Sequence, residues 1–377
     1  MRFLHTADWH LGRLLNGRDL IDDQRYALES VVDIARQESP DAIVIAGDIY
    51  DRSLPPERAI ELFDDVLARL ASVAPLLVIP GNHDSAVRIG VNARLLERVQ
   101  VHVCGAEHGA PRVVRLPHAD GEVRFHLMPY ALVEAVRDAL GREDLRGHHE
   151  ATVARLEAGE RPSGRDVLVG HLFAEGGLES ESERDITVGG VSLVRAEAFA
   201  GFAYTALGHL HRPHAVHSGV RYSGSLCRYS FSEQDHEKSV TMVQLDARGG
   251  VSTQSIPVAQ RHGMRTLQGA FDDLLKGAGA GAGRSDDLLR VRLTDTLPVF
   301  QAQAQLRTRY PNILELEYVA TMAPSAGGAP VLADLSQRSA HDMLGRFLDR
   351  YPADVVAPLR ERATSMMNEV IASKGDA

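Results

Sequence analysis

The sequence has little cysteine and little tryptophan, with two Cys (Cys104 and Cys227) and one Trp among 377 residues. Two distant thiols cannot build a disulfide framework or a thiolate metal site. They suit a reducing compartment, where each is expected to be a packing residue. No run approaches about 18 uninterrupted apolar residues, and the opening MRFLHTADWHLG has neither an apolar signal core nor a small-residue cleavage site. The expectation is a cytoplasmic protein with no membrane segment. Positive charge is also short. Lys plus Arg number 41 against 51 Asp plus Glu, a formal charge of −10, which excludes attraction to nucleic acid through bulk charge alone. What is present is ordinary for a globular protein, 44% hydrophobic and 24% charged, at a length that allows two or three domains.

Along residues 1–84 a short apolar run is repeatedly followed by a stretch of helical spacing. RFLHTAD leads to a helix over 19–38, DAIVIAGD to a helix over 55–73, and PLLVIPGNHD closes the series. This alternation predicts an α/β sheet, and such sheets gather ligands at the carboxyl ends of their strands. Residues 111–129 and 186–257 show shorter alternating runs parted by Gly turns, which predict antiparallel strands and hairpins. DVLVGH (166–171) and AYTALGH (203–209) are further strands ending in Gly-His. After about residue 260 the pattern becomes that of a small domain of helices and strands. GAGAGAG (277–283) follows a helical pattern and has no Gly-Lys-Ser/Thr after it, so it is read as a flexible loop rather than a nucleotide cradle. APSAGGAP (323–330) is a linker by composition, and helices are expected over 339–350 and 357–373. The expected organisation is 1–260, 261–323, a linker over 324–337, and a helical segment over 338–377.

Five strand ends carry groups that bind metals: Asp8 with His10, Asp48 with Asp51, Asn82-His83-Asp84, His171, and His209 with His211. An extended chain turns residues two apart to one side, so Asp8 and His10 are expected to converge while Trp9 faces away. Singly, a histidine is more often a satisfied polar residue and a strand-end aspartate a turn cap. Together, each beside Gly or Asn at the end of an apolar strand, they are not explained by packing. Imidazole, carboxylate and amide oxygen without thiolate suit manganese, iron or zinc with open water positions, and the mixed ligation suggests manganese. The donors are too many for one ion, whereas a carboxylate such as Asp48 can bridge two ions about 3.5 to 4 Å apart.

In order, these blocks match D-x-H, G-D-x-x-D, G-N-H-D/E, G-H and G-H-x-H, and the sequence thereby resembles the calcineurin-like metallophosphoesterases. MRFLHTADWHLG, GDIYDRSLPP, IPGNHDS, GHLHRP and YSGSLCRYSFSE followed by EKSV look like the branch of that family that supplies nuclease subunits. The resemblance implies an α/β fold with two mixed sheets flanked by helices, a small α+β capping domain and C-terminal helices. It makes Asp8, His10, Asp48 and His211 ligands of one ion, and Asp48, Asn82, His171 and His209 ligands of a second. It makes His83 the catalytic proton donor to the leaving oxygen, with Asp84 beside it in support of the ring. Ser223-Gly224-Ser225 and Arg228 fall in the YSGS block, which either positions phosphate or holds the loop under the site. His102, His108, His118, His126, His148, His149 and His262 lie in polar or surface-like contexts and are read as non-ligands. His214 and His217 are read as hairpin positions near the rim.

The activity implied is a metal-dependent DNA nuclease, cutting duplex ends exonucleolytically and single strands or hairpins endonucleolytically. The implied partners are DNA and an SbcC-type ATPase, with a homodimer inside a heterotetramer. Residues 261–323 carry eight basic against seven acidic side chains and 338–377 six against six, so the acidity belongs to the phosphoesterase domain. The competing readings are a phosphatase or cyclic-nucleotide phosphodiesterase on the same scaffold, and a scaffold protein that has lost catalysis. YSGSLCRYSFSE and the tail speak against the first, and the complete donor set against the second. In the tail, Ser339 with Asp342 reads as a capping box. Met343, Leu344, Phe347 and Leu348, then Met366, Met367, Val370 and Ile371, give apolar stripes suited to a partner helix.

Overall fold

The run Ala42–Ala46, AIVIA, is buried at every position, and it is apolar throughout because its strand is covered on both faces. A computed structural model of the chain describes residues 1–183, 193–277, 283–319, 360 and 362–366. In chain order the main elements begin with β1 (Arg2–Thr6), α1 (Ile21–Glu38), β2 (Ala42–Ala46), α2 (Glu57–Ala71), β3 (Leu76–Ile79), β4 (Val101–Val103), β5 (Arg112–Leu116) and β6 (Val123–Met128). They continue with α3 (Val133–Leu140), α4 (His148–Ala158), β7 (Asp166–His171), β8 (Tyr204–Gly208), β9 (His214–His217), β10 (Val220–Tyr222), β11 (Ser239–Leu245) and β12 (Val251–Pro257). The last are β13 (Met264–Gly269), α5 (Phe271–Lys276), β14 (Leu288–Leu293), α6 (Ala302–Leu306) and β15 (Ile313–Tyr318).

Two six-stranded sheets result, in the orders β12-β11-β1-β2-β3-β4 and β9-β10-β8-β7-β6-β5. Strands β1 to β4 run parallel and β11 pairs antiparallel to β1, so the first sheet is mixed. The second is mixed too, with β6, β7, β8 and β10 parallel and β5 and β9 antiparallel at its edges. The period of two sorts the side chains. On β2, Val44 joins Phe3, Leu77, Phe125, Val167 and Tyr204 between the sheets, whereas Ile43 and Ile45 join Leu28, Val31, Leu62 and Val66 under the helices. Phe3 ties the sheets together, meeting Phe125 and Tyr204 edge-on with ring centroids 5.4 and 5.7 Å apart.

Helix α1 begins two residues later than the sequence suggests because the Asp19 carboxylate accepts the Ile21 N–H at 2.8 Å and stops the chain outside the helix. Helix α2 begins at Glu57, since Pro55-Pro56 bars the residues before it from helical backbone. Both cysteines are buried and free. Strands β13, β14 and β15 form a separate parallel sheet. It has its own core of Leu267, Phe271, Leu289, Val291, Leu306 and Ile313. Asn16 Nδ2 donates to Glu315 Oε1 at 2.6 Å and Arg18 to Asn312 Oδ1 at 2.9 Å, joining this sheet to the segment between β1 and α1. Residues 1–320 make one compact unit and 321–377 a second. Most of the GAGAGAG loop, the linker 324–337 and all but 360 and 362–366 of the segment 338–377 lie outside the described residues. Among the described residues, no helix is long and apolar enough to cross a membrane.

Candidate metal centre

Strand β1 ends at Thr6, and Asp8 and His10 follow in left-handed backbone with φ of 55° and 44°. The expected extended alternation is therefore not what brings them together. Asp8 N–H donates to Gly47 O at 3.0 Å and His10 N–H to Asp48 O at 2.9 Å, so the loop after β1 is zipped to the loop after β2. Asp48 and His209 also lie at positive φ, 49° and 110°. Four non-glycine residues in this region at one point of the fold are a costly concentration, each about 1 kcal/mol or more. The glycines next to them are required by proximity. A β-carbon on Gly81 would fall 2.2 Å from Asp48 Oδ1, and one on Gly47 2.3 Å from His171 Nδ1.

The side chains close into two donor groups that share one carboxylate, His10/Asp48/His83 and Asp48/His171/His209. Asp48 Oδ2 lies 3.5 Å from His10 Nε2, 3.9 Å from His83 Nε2 and 3.4 Å from His171 Nε2. Asn82 Oδ1 lies 2.9 Å from His171 Nε2 and 3.3 Å from His209 Nδ1. His211 Nε2 lies 3.0 Å from His10 Nε2. Two ring nitrogens at that spacing are what two neighbouring donors take on one ion at about 2.1 Å from each. Asp8 Oδ1 accepts the His209 N–H at 2.8 Å, while Asp8 Oδ2 and His10 Nδ1 are buried with no hydrogen-bond partner. An unpartnered buried carboxylate oxygen among convergent acceptors fits a cation, so these residues fit the divalent ions that their chemistry suggests.

The charges crowded here are strained in opposing senses. Burial pushes Asp8 up to about 7, and holds His10 and His209 well below the usual imidazole value. Burial would also lower His171, but the charge and hydrogen bond of Asp48 outweigh it and raise the ring to about 9. Against burial, His171, His10 and His83 hold Asp48 well below the carboxylate range. Divalent charge would favour carboxylate and neutral imidazole at every one of these positions.

The five blocks expected from the sequence are thus brought together, with one difference. Asp84 is not turned to the His83 ring. Its carboxylate accepts the N–H groups of Ile49 at 3.0 Å, Tyr50 at 2.9 Å and Gly81 at 2.9 Å, and so ties the loop after β2 to the loop after β3. The His83 ring instead donates from Nδ1 to Asp51 O at 2.9 Å, and the His83 backbone N–H donates to Asp48 Oδ1 at 2.9 Å. His126 and His262 are not surface residues. His126 is buried with Nε2 2.6 Å from Asp166 Oδ1, and His262 Nδ1 lies 2.5 Å from Asp23 Oδ1. Both pair with a carboxylate far away in sequence, outside the centre. Behind His211 lie Ser182, Glu183, Glu233 and Lys238, which sequence reasoning missed. Only the FSE and EKSV segments of the family-like block could have signalled the last two.

Residues 1–213 match the calcineurin-like phosphoesterase family, and 260–351 match the type 5 capsule protein repressor C-terminal domain. The SbcD component of the nuclease SbcCD from Staphylococcus saprophyticus is 32% identical over 322 residues, 84% of this chain and 84% of that protein. The same component from Staphylococcus epidermidis is 31% identical over 327 residues, 85% and 86% of the two chains. The family match implies divalent metal ions, and the two donor groups are a candidate site for them. The chain belongs to the calcineurin-like phosphoesterases, in the branch that holds the SbcD proteins.

Proposed function

We propose that this chain is the metal-dependent nuclease component of a bacterial DNA-processing complex, cutting duplex ends exonucleolytically and hairpins or single strands endonucleolytically. The observation that carries it is the sharing of Asp48 between two donor groups at the strand ends, the arrangement a two-ion phosphodiesterase needs. Asp8, His10, Asp48 and His211 would hold one ion, and Asp48, Asn82, His171 and His209 the other, with manganese favoured by the mixed nitrogen and oxygen donors. Bound there, the pair supplies Lewis-acid charge for the phosphate and lowers the pKa of water. The chain's own residues do the rest. His83 Nδ1 must donate to the Asp51 carbonyl, which leaves Nε2 facing the centre, where a protonated ring delivers its proton to the departing sugar oxygen. Asp84 keeps the His83 loop in place through three backbone bonds.

In this reading residues 1–260 are the nuclease body, 261–323 cap it and contact DNA, 324–337 link, and 338–377 bind an SbcC-type ATPase. The assembly is a homodimer of this chain within a heterotetramer, in the cytoplasm. The relatives' names support the nuclease activity and an SbcC partner subunit. One assay with manganese tests it, comparing linear duplex DNA, hairpin DNA and p-nitrophenyl phosphate. Cleavage of both DNAs well above the small ester is expected. Hydrolysis of the small ester alone would make the chain a phosphatase.

A further inference from the structure

The block YSGSLCRYSFSE, residues 222–233, and Lys238 after it lie beneath one half of the centre. Gly224 at φ +78° lets the chain pass within reach of His211 O, where a β-carbon would lie 2.7 Å away. Ser225 N–H then donates to His211 O at 3.1 Å, and Lys238 Nζ donates to the same oxygen at 3.0 Å and to Ser225 Oγ at 2.8 Å. The Tyr229 hydroxyl donates to Trp9 O, and Gln24 Nε2 donates to that hydroxyl at 3.1 Å and to His10 O at 2.7 Å. The Tyr229 ring meets His10 and His211 edge-on at 5.5 and 5.6 Å.

The proton placement follows from the donors available. Glu233 is fully buried. One of its oxygens takes the Lys238 ammonium, and the other takes the Ser182 hydroxyl. With its hydrogen committed to Glu233, Ser182 Oγ can only accept from His211 Nδ1, 2.6 Å away. His211 therefore carries its proton on Nδ1 and turns the Nε2 lone pair toward His10 Nε2. His211 Nδ1 also lies 3.2 Å from the Glu233 oxygen that takes the Ser182 hydroxyl. We infer that Glu233, acting directly and through Ser182 and anchored by Lys238, is a positioning residue that presets His211 as a ligand, and that the 222–233 block is the frame for the His10/His211 half of the centre. This rests on the two-ion reading above.

The test uses the full chain. Replacing Glu233 alone would leave Lys238 buried and unpaired, so the double variant Glu233→Gln, Lys238→Met is compared with Ser182→Ala, which keeps the ion pair. Manganese titration by calorimetry should show one of two binding steps weakened about 10- to 100-fold in the double variant, and less in Ser182→Ala, with the other step unchanged. Nitrogen-15 spectra of the metal-free chain should show His211 in the single Nδ1–H tautomer, and as a mixture in the double variant, with a smaller shift in Ser182→Ala, where Glu233 still faces Nδ1. Both manganese steps at wild-type affinity, with the tautomer unmoved in both variants, would overturn the inference. A wild-type chain that fails to bind two ions would instead remove the two-ion reading, and the metal-free tautomer measurement separates the two outcomes.

Discussion

Gly208 is packed so closely on Ala46 that a β-carbon on it would lie 2.0 Å from the Ala46 carbonyl oxygen. That oxygen also accepts the Nδ1–H of His171 at 2.9 Å. One carbonyl thus joins the two sheets where the ends that carry the candidate donors meet. Gly208→Ala is expected to cost about 2 to 3 kcal/mol by overpacking and to move His171. Urea denaturation and metal analysis of dialysed protein check both, and a stable variant holding two ions would show that the contact can relax.

Asp48 is the residue shared by both donor groups, so Asp48→Ala should lower metal occupancy at both positions rather than one. Chelation of the wild-type chain should abolish cleavage, and added manganese should restore it. Full activity of Asp48→Ala in manganese would sink the bridged arrangement.

His83 is the donor-group member assigned to proton delivery. His83→Ala should cut DNA about 100-fold or more slowly while retaining both ions and DNA affinity. Single-turnover cleavage, metal analysis and a gel-shift titration separate these effects. Loss of an ion would reassign His83 as a ligand.

Asp166 opens β7, and its carboxylate holds Arg124 at 2.8 Å, His126 at 2.6 Å and the Ser163 N–H at 2.8 Å. Burial opposes ionisation there, but Arg124 and the Ser163 N–H outweigh it and hold the carboxyl below its usual value. A depressed carboxyl stabilises the fold above the unfolded value, about pH 4, and loses that contribution as pH falls through the lower native one. Asp166→Asn should therefore cost about 2 kcal/mol near pH 7, with the gap from wild type closing as the pH falls below about 4. Denaturation curves across that range decide it, and a gap that widens in acid would reverse the assignment.

Deleting residues 331–377 should leave manganese-dependent cleavage of a short single strand nearly intact. It should abolish co-purification with an SbcC-type ATPase and the ATP-stimulated processing of duplex ends. Undiminished binding by the truncated chain would move the attachment surface elsewhere, and an insoluble product would mean that the tail packs on its own body.

The parts of this protein legible in the sequence are those whose signal is local. A strand announces itself by its apolar run, and Asp8, Asp48, Asn82, His171 and His209 by their place at its end. Asp84 shows the limit, because its three bonds go to backbone N–H groups, which have no side-chain signature. Ser182 and Glu233 bond each other across 51 positions, and His126 and Asp166 across 40. Each is a common residue type whose partner is chosen by the tertiary fold. Asp8 and His10 face one way for a reason that alternation cannot supply, the left-handed turn of the chain after β1.

The four left-handed positions proposed as ligands, Asp8, His10, Asp48 and His209, give this protein a direction of easy improvement that leads away from its chemistry. Glycine or asparagine would sit in such backbone at lower cost, and losing buried charge there would relieve the metal-free chain further. Selection for heat resistance alone should collect its first gains at positions 8, 10, 48 and 209, and the hardiest descendants would be the ones that no longer cut.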